Sequence, residues 1–272
     1  MINESVLLVG CGRMGSALLE GFLGRVPAHK MTVVEPSAET AKILKETYGV
    51  NVVKGINETF FDISEFNVVI FAVKPQIIES IMPFFKHDNL KSSLFISIAA
   101  GKTIGFFEKF LGKKAKIIRT MPNLPAIVKE GATVAVANKN VDKESKERAS
   151  KLFSSVGEFF WIKDEKLLDA VTAISGSGPA YVFHFMECLI ESAIKLGLPK
   201  DLAKSLAYST VMGSAKLAKT SDKNVNDLKV QVTSPGGTTE AALKVLEGKN
   251  GLGQLMNEAT SSACKRSKEL AA

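Results

Sequence analysis

The chain has 272 residues, of which 46% are apolar, and a formal net charge of +7. That apolar content is enough for a substantial buried core, and the length suits two domains better than one. No apolar run reaches about 18 residues, so the sequence predicts no membrane-spanning helix. Basic residues are scattered without interleaved aromatic residues, which argues against nucleic-acid binding.

Cysteine and histidine usage indicates the compartment and excludes a metal site. The three cysteines (Cys11, Cys188, Cys264) form no CxxC pair, and the three histidines have no metal-ligand spacing. Widely separated cysteines are typical of reduced thiols in a cytoplasm. An apolar strand pattern begins almost at the N-terminus, so we expect no signal peptide and a cytoplasmic protein.

The positive charge is concentrated in the first part of the chain. Residues 1–163 carry 22 Lys and Arg against 16 Asp and Glu, whereas residues 164–272 carry 13 against 12. Such an excess suits an anionic cofactor and substrate, although lysines on a solvated surface would give the same count.

The stretch VLLVGCGRMGSALLEGF, residues 6–22, combines a short apolar strand, three glycines and an amphipathic helix. Gly10 would turn the chain off the strand, Gly12 would let a pyrophosphate approach the backbone, and Gly15 would let the helix lie close to the strand. The amides and positive dipole end of the helix would face the phosphates. Because glycine turns are common, the spacing is also compatible with a purely structural turn.

A second strand over residues 31–34 ends at Glu35, about 20 residues after the glycines, where a dinucleotide fold places the residue that reads the ribose. A carboxylate there accepts a hydrogen bond from a 2′-hydroxyl and repels a 2′-phosphate, which favours NADH over NADPH. The neighbouring Pro36 and Ser37 leave open whether Glu35 turns away from the ribose.

Further strands are predicted over residues 52–53, 67–73, 94–99, 117–119, 131–137 and 157–161, with amphipathic helices between the earlier ones. This alternation predicts a doubly wound parallel sheet, which the last two strands extend or edge. Ligands of such sheets lie beyond the carboxyl ends of the strands. That rule selects Glu35, Ala72 to Pro75, Ala99 to Gly101, and Met121 to Asn123. Lys74 is either a phosphate contact or a solvated loop lysine.

After Lys163 the strand pattern stops, and helices are predicted to the end of the chain. Ser175 to Pro179 interrupts the first of them, because Pro179 suits the first turn of the next helix. A second glycine-rich turn, VTSPGGTTE at 232–240, precedes a helix expected over residues 241–246. Such a turn is either an anion site made of backbone amides and hydroxyls or an ordinary loop with a threonine cap.

Six stretches together resemble one family, pyrroline-5-carboxylate reductase. Besides the glycine loop they are AVKPQ at 72–76, AAGKTI at 99–104, RTMPNLPAIVKEGAT at 119–133, DAVTAISGSGPAY at 169–181 and VTSPGGTTEAAL at 232–243. They occur in the family's order over nearly the whole chain, and the last two are the most specific. ACKRSKEL at 263–270 also fits.

The resemblance implies reduction of 1-pyrroline-5-carboxylate to L-proline with NAD(P)H, the last step of proline biosynthesis. It also implies a Rossmann-type domain over residues 1–163, followed by an all-helical substrate-binding and dimerisation domain over residues 164–272, with dimers that can form decamers. The protein would act on a small-molecule substrate, without nucleic-acid or membrane partners.

The resemblance and the strand-end rule together assign a set of site residues. Thr172 would lie near the imine nitrogen as the catalytic residue. The substrate carboxylate would be bound by Ser234, Thr238 and Thr239, and Glu165 and Gly237 would complete the substrate-binding residues, with Glu165 near the carboxylate. The expected cofactor-binding residues are Gly10, Cys11, Gly12, Arg13, Met14, Gly15, Glu35, Asn57, Ala72, Val73, Lys74, Pro75, Ala99, Ala100, Gly101, Met121, Pro122 and Asn123.

Two departures from the family pattern stand out. Glu35 occupies a position where many relatives have a small or hydroxyl residue, which argues against the NADPH preference common in the family. Leu124 replaces the threonine usual in the MPNTP stretch, with only a local effect expected.

Two other functions fit the glycine loop. A β-hydroxyacid or imine reductase has a similar plan, but the hydroxyacid enzymes use a lysine on the long helix between the domains. Here Lys195 is the only lysine on the helix predicted over residues 179–196, and it lies at the C-terminal end. A non-catalytic NAD(P)H sensor is the other alternative, and it would have no need of the turn at 232–240.

Overall fold

The computed structural model describes residues 4–56, 62–85 and 93–271. Eight strands form one sheet in the order β3-β2-β1-β4-β5-β6-β7-β8, in which every neighbouring pair is parallel except β6 and β7. The strands are β1 (Val6–Val9), β2 (Met31–Val34), β3 (Asn51–Val53), β4 (Val68–Phe71), β5 (Leu94–Ser97), β6 (Lys116–Met121), β7 (Gly131–Ala137) and β8 (Gly157–Trp161).

The sheet is buried on both faces, which explains why its central strands are continuous apolar runs. Along β1, Val6 and Leu8 belong to one hydrophobic cluster, and Leu7 and Val9 belong to the other. Side chains alternate between the faces of a strand, so each face of the sheet has its own core. The sheet is therefore of the doubly wound Rossmann type, as the sequence predicts.

Helices cover both faces of the sheet, and the described elements after β8 are all helical. They are α1 (Arg13–Leu23), α2 (Ala38–Tyr48), α3 (Pro75–Ile81), α4 (Ile104–Leu111), α5 (Lys143–Phe153), α6 (Leu168–Val171), α7 (Gly178–Lys195), α8 (Lys200–Thr220), α9 (Val225–Gln231), α10 (Thr238–Leu246) and α11 (Leu252–Ala271). One turn of π-helix, Thr172–Gly176, lies between α6 and α7. In the described part of the chain, no helix is long and apolar enough to cross a bilayer.

Several details differ from the sequence predictions, among them the shorter β5 (Leu94–Ser97, predicted over 94–99) and the longer β6 (Lys116–Met121, predicted over 117–119). The strand predicted over residues 67–73 is only Val68–Phe71, so Ala72 and Val73 already belong to the connection that follows it. β7 is antiparallel to β6, because the short connection between them has no room for a crossover. α10 begins at Thr238 rather than at residue 241, which places Thr238 and Thr239 in its first turn.

The chain divides into two compact units. The first contains the described residues up to Ser177 and those from Ala263 onwards, and the second is Gly178–Ser262. The domain boundary predicted at Lys163, where the strand pattern stops, stays a prediction.

The second unit exposes much apolar surface in the single chain. Its helices α7 and α8 pack against each other. Even so, large apolar side chains remain exposed, among them Val182, Phe183, Phe185, Leu206, Met212, Leu217, Val225 and Val230. Contiguous exposed apolar surface of this kind marks an interaction face.

The core beneath β4 and α4 gives a direct stability test. Phe107 is fully buried and stacks on Phe71 with ring centroids 5.5 Å apart. We expect Phe107→Ala to lower the free energy of unfolding by about 3–5 kcal/mol. The control is the exposed Ile43, and Ile43→Ala should change the free energy of unfolding by less than about 0.5 kcal/mol. Urea denaturation followed by circular dichroism measures both, and equal losses would contradict this description of the core.

Candidate active site

A groove of about 450 Å³ lies at the carboxyl ends of β1, β2 and β4. The strand order reverses here, because β1 has β2 on one side and β4 on the other. Ligands of doubly wound sheets bind at such a reversal. The groove is lined by Val9, Gly10, Cys11, Gly12, Val34, Glu35, Pro36, Lys54, Gly55, Ile56, Ala72, Val73, Lys74, Ile77, Ile81 and Phe84.

The three glycines have three different surroundings. Gly10 has a φ of +94°, and a Cβ there would lie 2.6 Å from Val73 Cγ1. A Cβ on Gly15 would collide with the carbonyl oxygen of Gly10. Apart from the adjoining residues of its own chain segment, no atom of the described residues lies within 4 Å of the ideal Cβ position of Gly12. Gly10 and Gly15 are therefore required by the fold, whereas the open space at Gly12 is available to a ligand.

The N-terminus of α1 is suited to an anion. Gly12 is its N-cap and makes no side-chain cap hydrogen bond, and the first turn contains no acidic residue. The first amides of a helix and its dipole attract phosphate. Arg13 begins α1 and is exposed, whereas Met14 packs its side chain against the core.

Glu35 lies at the end of β2 and lines the groove. Its backbone N–H donates to the carbonyl of Val53 at 2.9 Å, and its Oε1 accepts from the N–H of Ser37 at 3.0 Å. Ser37 also caps α2. These bonds hold the carboxylate at the edge of the groove instead of releasing it into solvent.

Cys11 fills space in the glycine loop. Burial raises the pKa of its thiol above the usual range, and the charge of Glu35 adds to the rise. Sγ lies 3.4 Å from the hydroxyl of Ser16. A raised pKa disfavours the reactive thiolate, so the residue has a packing role.

The connection after β4 forms the wall opposite Glu35. Ala72 donates its N–H to the carbonyl of Val9 at 2.8 Å, which joins this wall to the glycine loop. Lys74 is the N-cap of α3, and Pro75 is its first residue. Ala72, Val73 and Lys74 all line the groove, whereas Pro75 lies at the start of the helix beyond it.

The loop after β5 is fixed by the end of α11. Gly101 has a φ of +75°, and a Cβ there would lie 2.6 Å from the backbone carbonyl oxygen of Leu270. Ala99 donates its N–H to Ser97 Oγ at 3.2 Å. The loop Ala99 to Gly101 follows the strand next to β4, but none of its residues lines the groove.

Asn123 uses its side chain to organise the protein itself. Its Nδ2 donates to the carbonyl of Ser175 at 3.0 Å, and its Oδ1 accepts from the N–H of Ala132 at 2.8 Å. It thereby ties the end of β6 to the π-helical turn. Met121 is buried beside Leu168 and Val136, and Pro122 is buried as well.

Thr172 begins the π-helical turn. Its Oγ1 donates to the carbonyl of Leu168 at 2.7 Å, and its own carbonyl accepts from Ser177 N at 2.8 Å. Since the hydroxyl proton is engaged, the oxygen presents lone pairs to an approaching N–H group.

Glu165 makes contacts within the first unit. Its Oε1 accepts from the N–H of Ile104 at 2.8 Å and from Nη1 of Arg119 at 2.9 Å. The side chain of Arg119 is only 4% exposed. Its Nη2 has no hydrogen-bond partner among the described residues.

The glycine-rich turn of the second unit leads into α10. Gly236 has a φ of +72°, and its N–H donates to Oε2 of Glu240 at 2.6 Å. Gly237 is the N-cap of α10 and makes no side-chain cap hydrogen bond. The first amides of α10 and the hydroxyls of Ser234, Thr238 and Thr239 thus lie on one short stretch, which has the donors that a carboxylate needs.

The structure brings together only part of the predicted site. The glycine loop, Glu35 and residues 72–74 line one groove, whereas residues 99–101 and 121–123 flank the neighbouring strands. Asn57 lies outside the described residues. Arg119 is not among the residues predicted for the site, although a single arginine inside the apolar run IIRTM is a signal for a buried ion pair. The described residues contain no cluster of three or more potential metal ligands.

Comparison with known proteins gives consistent results over the whole chain. The family model "Pyrroline-5-carboxylate reductase dimerisation" matches residues 165–270, and "NADP oxidoreductase coenzyme F420-dependent" matches residues 5–101. Pyrroline-5-carboxylate reductase of Pseudomonas aeruginosa is 36% identical, with 100% of this chain and 98% of that protein covered.

Two solved structures are similar over their full lengths. Pyrroline carboxylate reductase of Plasmodium falciparum, with NADP bound, has a TM-score of 0.87 at 36% identity. A pyrroline-5-carboxylate reductase of Coxiella burnetii has a TM-score of 0.91 at 37% identity. In both comparisons 100% of each chain is covered.

The contrast between Gly12 and Gly15 is testable. We expect Gly12→Ala to keep the melting temperature and to weaken NADH binding, because its Cβ enters space open to a ligand. Gly15→Ala should instead lower the stability by about 1–3 kcal/mol, because its Cβ collides with the Gly10 carbonyl. Thermal melting and fluorescence titration with NADH measure the two effects. Destabilisation by Gly12→Ala, or its failure to change the dissociation constant, would contradict the assignment.

Proposed function

The chain belongs to the pyrroline-5-carboxylate reductase family, and we propose that its two glycine-rich stretches bind the two reactants separately. It is an NAD(P)H-dependent oxidoreductase that reduces 1-pyrroline-5-carboxylate to L-proline, the last step of proline biosynthesis. In this proposal the groove at β1 binds the cofactor, and the turn at 234–239 binds the substrate carboxylate.

The single observation that carries the cofactor assignment is the open space at Gly12 beside the uncapped start of α1. A pyrophosphate needs a close approach to the backbone and unpaired amides, and both are available there. We therefore assign Gly10 to Gly15 to the pyrophosphate and residues 72–75 to the neighbouring wall. The loop 99–101 and residues 121–123 belong to the nicotinamide end in this proposal.

Glu35 supports a preference for NADH. Its carboxylate is held at the groove by its bond to the Ser37 N–H. It accepts a hydrogen bond from a ribose 2′-hydroxyl, whereas a 2′-phosphate would meet a like charge. The Plasmodium falciparum structure contains NADP, and in this proposal the 2′-phosphate of NADP would be disfavoured at Glu35.

The turn of the second unit supplies the carboxylate site. Ser234, Thr238 and Thr239 contribute hydroxyls, and Gly237 leaves the first amides of α10 without a side-chain cap. Hydrogen bonds to a charged group are about twice as strong as neutral ones. The Glu240 carboxylate accepts from the Gly236 N–H, and its Oε1 lies 3.4 Å from Nζ of Lys244. These two contacts limit its repulsion of a bound anion.

Thr172 is assigned to the imine nitrogen as a hydrogen-bond acceptor. Its hydroxyl proton is donated to the Leu168 carbonyl, so its oxygen accepts the N–H of a protonated imine. This bond favours the protonated form, in which the imine carbon is the stronger electrophile.

The chemistry itself requires little acid–base machinery. The imine nitrogen takes a proton and the imine carbon takes a hydride, which gives the secondary amine of proline. NAD(P)H, when bound, supplies that hydride. The protein's residues hold the reactants, and correct alignment is worth roughly 7–11 kcal/mol of the barrier.

The chain associates with itself through its dimerisation domain. The apolar side chains exposed along α7, α8 and α9 support this, because a single chain leaves them in water. We propose further that dimers assemble into decamers and that the enzyme works in the cytoplasm, which suits its three free cysteines. We keep residues 164–272 as the proposed functional domain for substrate and dimer.

Removal of one hydroxyl tests the carboxylate turn. We expect Thr239→Ala to raise KM for pyrroline-5-carboxylate about 10- to 100-fold, because a hydrogen bond to a charged group is worth about 1.5–3 kcal/mol. The dissociation constant of NADH should change little. Initial-rate kinetics and fluorescence titration measure the two constants. Thr260→Ala is the control, because this half-buried threonine of α11 bonds only to its own helix, at Met256 and Asn257, among the contacts described. Equal losses of substrate and cofactor affinity in Thr239→Ala would contradict the assignment.

Replacement of the groove carboxylate tests the cofactor preference. Glu35→Ser should lower kcat/KM for NADH about tenfold, since one hydrogen bond to a charged acceptor is lost, and raise it for NADPH. Glu39→Ser, in the exposed first turn of α2, is the matched control and should leave the ratio unchanged. An unchanged ratio in Glu35→Ser would mean that this carboxylate does not face the ribose.

A further inference from the structure

A buried ion pair joins three separate segments of the first unit. Arg119 lies on β6, Glu165 begins the segment before α6, and Ile104 is the first residue of α4. One carboxylate oxygen of Glu165 accepts from both Arg119 Nη1 and the backbone N–H of Ile104, at 2.9 and 2.8 Å. The pair is therefore also a clamp on the start of α4.

The clamp acts on the loop that follows β5. Thr103 caps α4 by accepting from the N–H of Phe106 at 3.1 Å, and Glu165 fixes the next residue, Ile104. At its other end the loop follows β5 and meets Leu270 at Gly101. Gly101, in the middle of the loop 99–103, thus lies against the backbone of Leu270, and Ile104, the residue after the loop, is hydrogen-bonded to Glu165.

This arrangement is poorly suited to stability alone. Burial of an ion pair costs desolvation, and the cost is offset only when every donor and acceptor is satisfied. Arg119 Nη2 has no partner among the described residues. A pair of apolar side chains would pack the same space without an unsatisfied donor.

We propose that Arg119 and Glu165 are positioning residues for the reduction. The pair holds the loop 99–103 in the conformation that accepts the nicotinamide end of the cofactor, so it acts through the loop and not by contact with substrate. The inference rests on the proposed function of that loop. In this proposal Glu165 acts through its Oε1, which accepts from both Ile104 and Arg119, and the placement of Glu165 near the substrate stays a prediction.

Four single variants and one double variant, Glu165→Ala with Arg119→Met, test the proposal in the intact enzyme. Glu165→Ala removes the clamp, Glu165→Gln keeps an oxygen for the Ile104 N–H, and Arg119→Met removes the charge partner. Glu4→Ala is the matched control, because Glu4 forms a comparable half-buried ion pair with Arg148 at 2.6 Å. For each variant we would measure melting temperature, NADH dissociation constant, kcat, KM for pyrroline-5-carboxylate, and the primary isotope effect with 4-deuterated NADH.

We expect Glu165→Ala to lower kcat about tenfold or more, with a larger isotope effect, because small misplacement of reacting atoms is costly. KM for pyrroline-5-carboxylate should stay within about threefold, and Glu165→Gln should recover most of the loss. In the double variant Glu165→Ala with Arg119→Met, kcat should be no lower than in the worse of the two single variants, since both substitutions act on the same clamp. Glu4→Ala should lower only the melting temperature.

Two outcomes would overturn the proposal. A rise in KM for pyrroline-5-carboxylate, with unchanged kcat and NADH binding, would mean that Glu165 contacts substrate directly. Loss of melting temperature alone in Glu165→Ala, as in the control, would mean that the pair is only structural. If Arg119→Met does not fold, Glu165→Ala and Glu165→Gln decide by themselves. Failure of the proposed function is distinct, because the unmodified enzyme would then show no turnover.

Discussion

The close approach of α1 to β1 is the constraint on which the rest of the structure depends. Gly15 lies against the carbonyl of Gly10, and Gly10 turns the chain at a φ that side chains rarely adopt. This packing points the uncapped start of α1 at the groove between β2 and β4. A helix start of this kind suits a dinucleotide pyrophosphate, because backbone amides and the helix dipole offset its negative charge.

The second glycine-rich turn has the same kind of helix start. Gly236 has a positive φ, and Gly237 leaves the start of α10 uncapped, as Gly12 does at α1. One turn belongs to the first compact unit and the other to the second. In the proposed function each binds an anionic group of one reactant, and the hydride and proton then need only alignment.

Most of the fold was predictable from sequence, because apolar runs and glycine turns act locally. The strands β1, β2, β7 and β8 and the Ser37 cap of α2 agree with their patterns. The antiparallel direction of β7 was missed, because the residue composition of a strand does not indicate its direction. The direction depends on the length of the connection from β6. The early start of α10 was missed for a similar reason: threonines are common both in a turn and in the first turn of a helix.

The site was predictable where it depends on backbone geometry and less so where it depends on long side chains. The glycine loop and Glu35 line one groove, as expected from spacing. The partners of Asn123 and Glu165 are 52 and 46 residues distant in sequence, so no local pattern indicates them. Only the contacts in the folded chain show that such a side chain is bonded to another part of the protein and can position a loop.

The most direct test of the account is the initial rate of nicotinamide oxidation at 340 nm with pyrroline-5-carboxylate, with NADH and NADPH in parallel. The account predicts turnover that depends on pyrroline-5-carboxylate, with a higher kcat/KM for NADH than for NADPH. Tight cofactor binding without turnover would contradict it. Turnover with a strong preference for NADPH would leave the reaction intact and disprove the role assigned to Glu35.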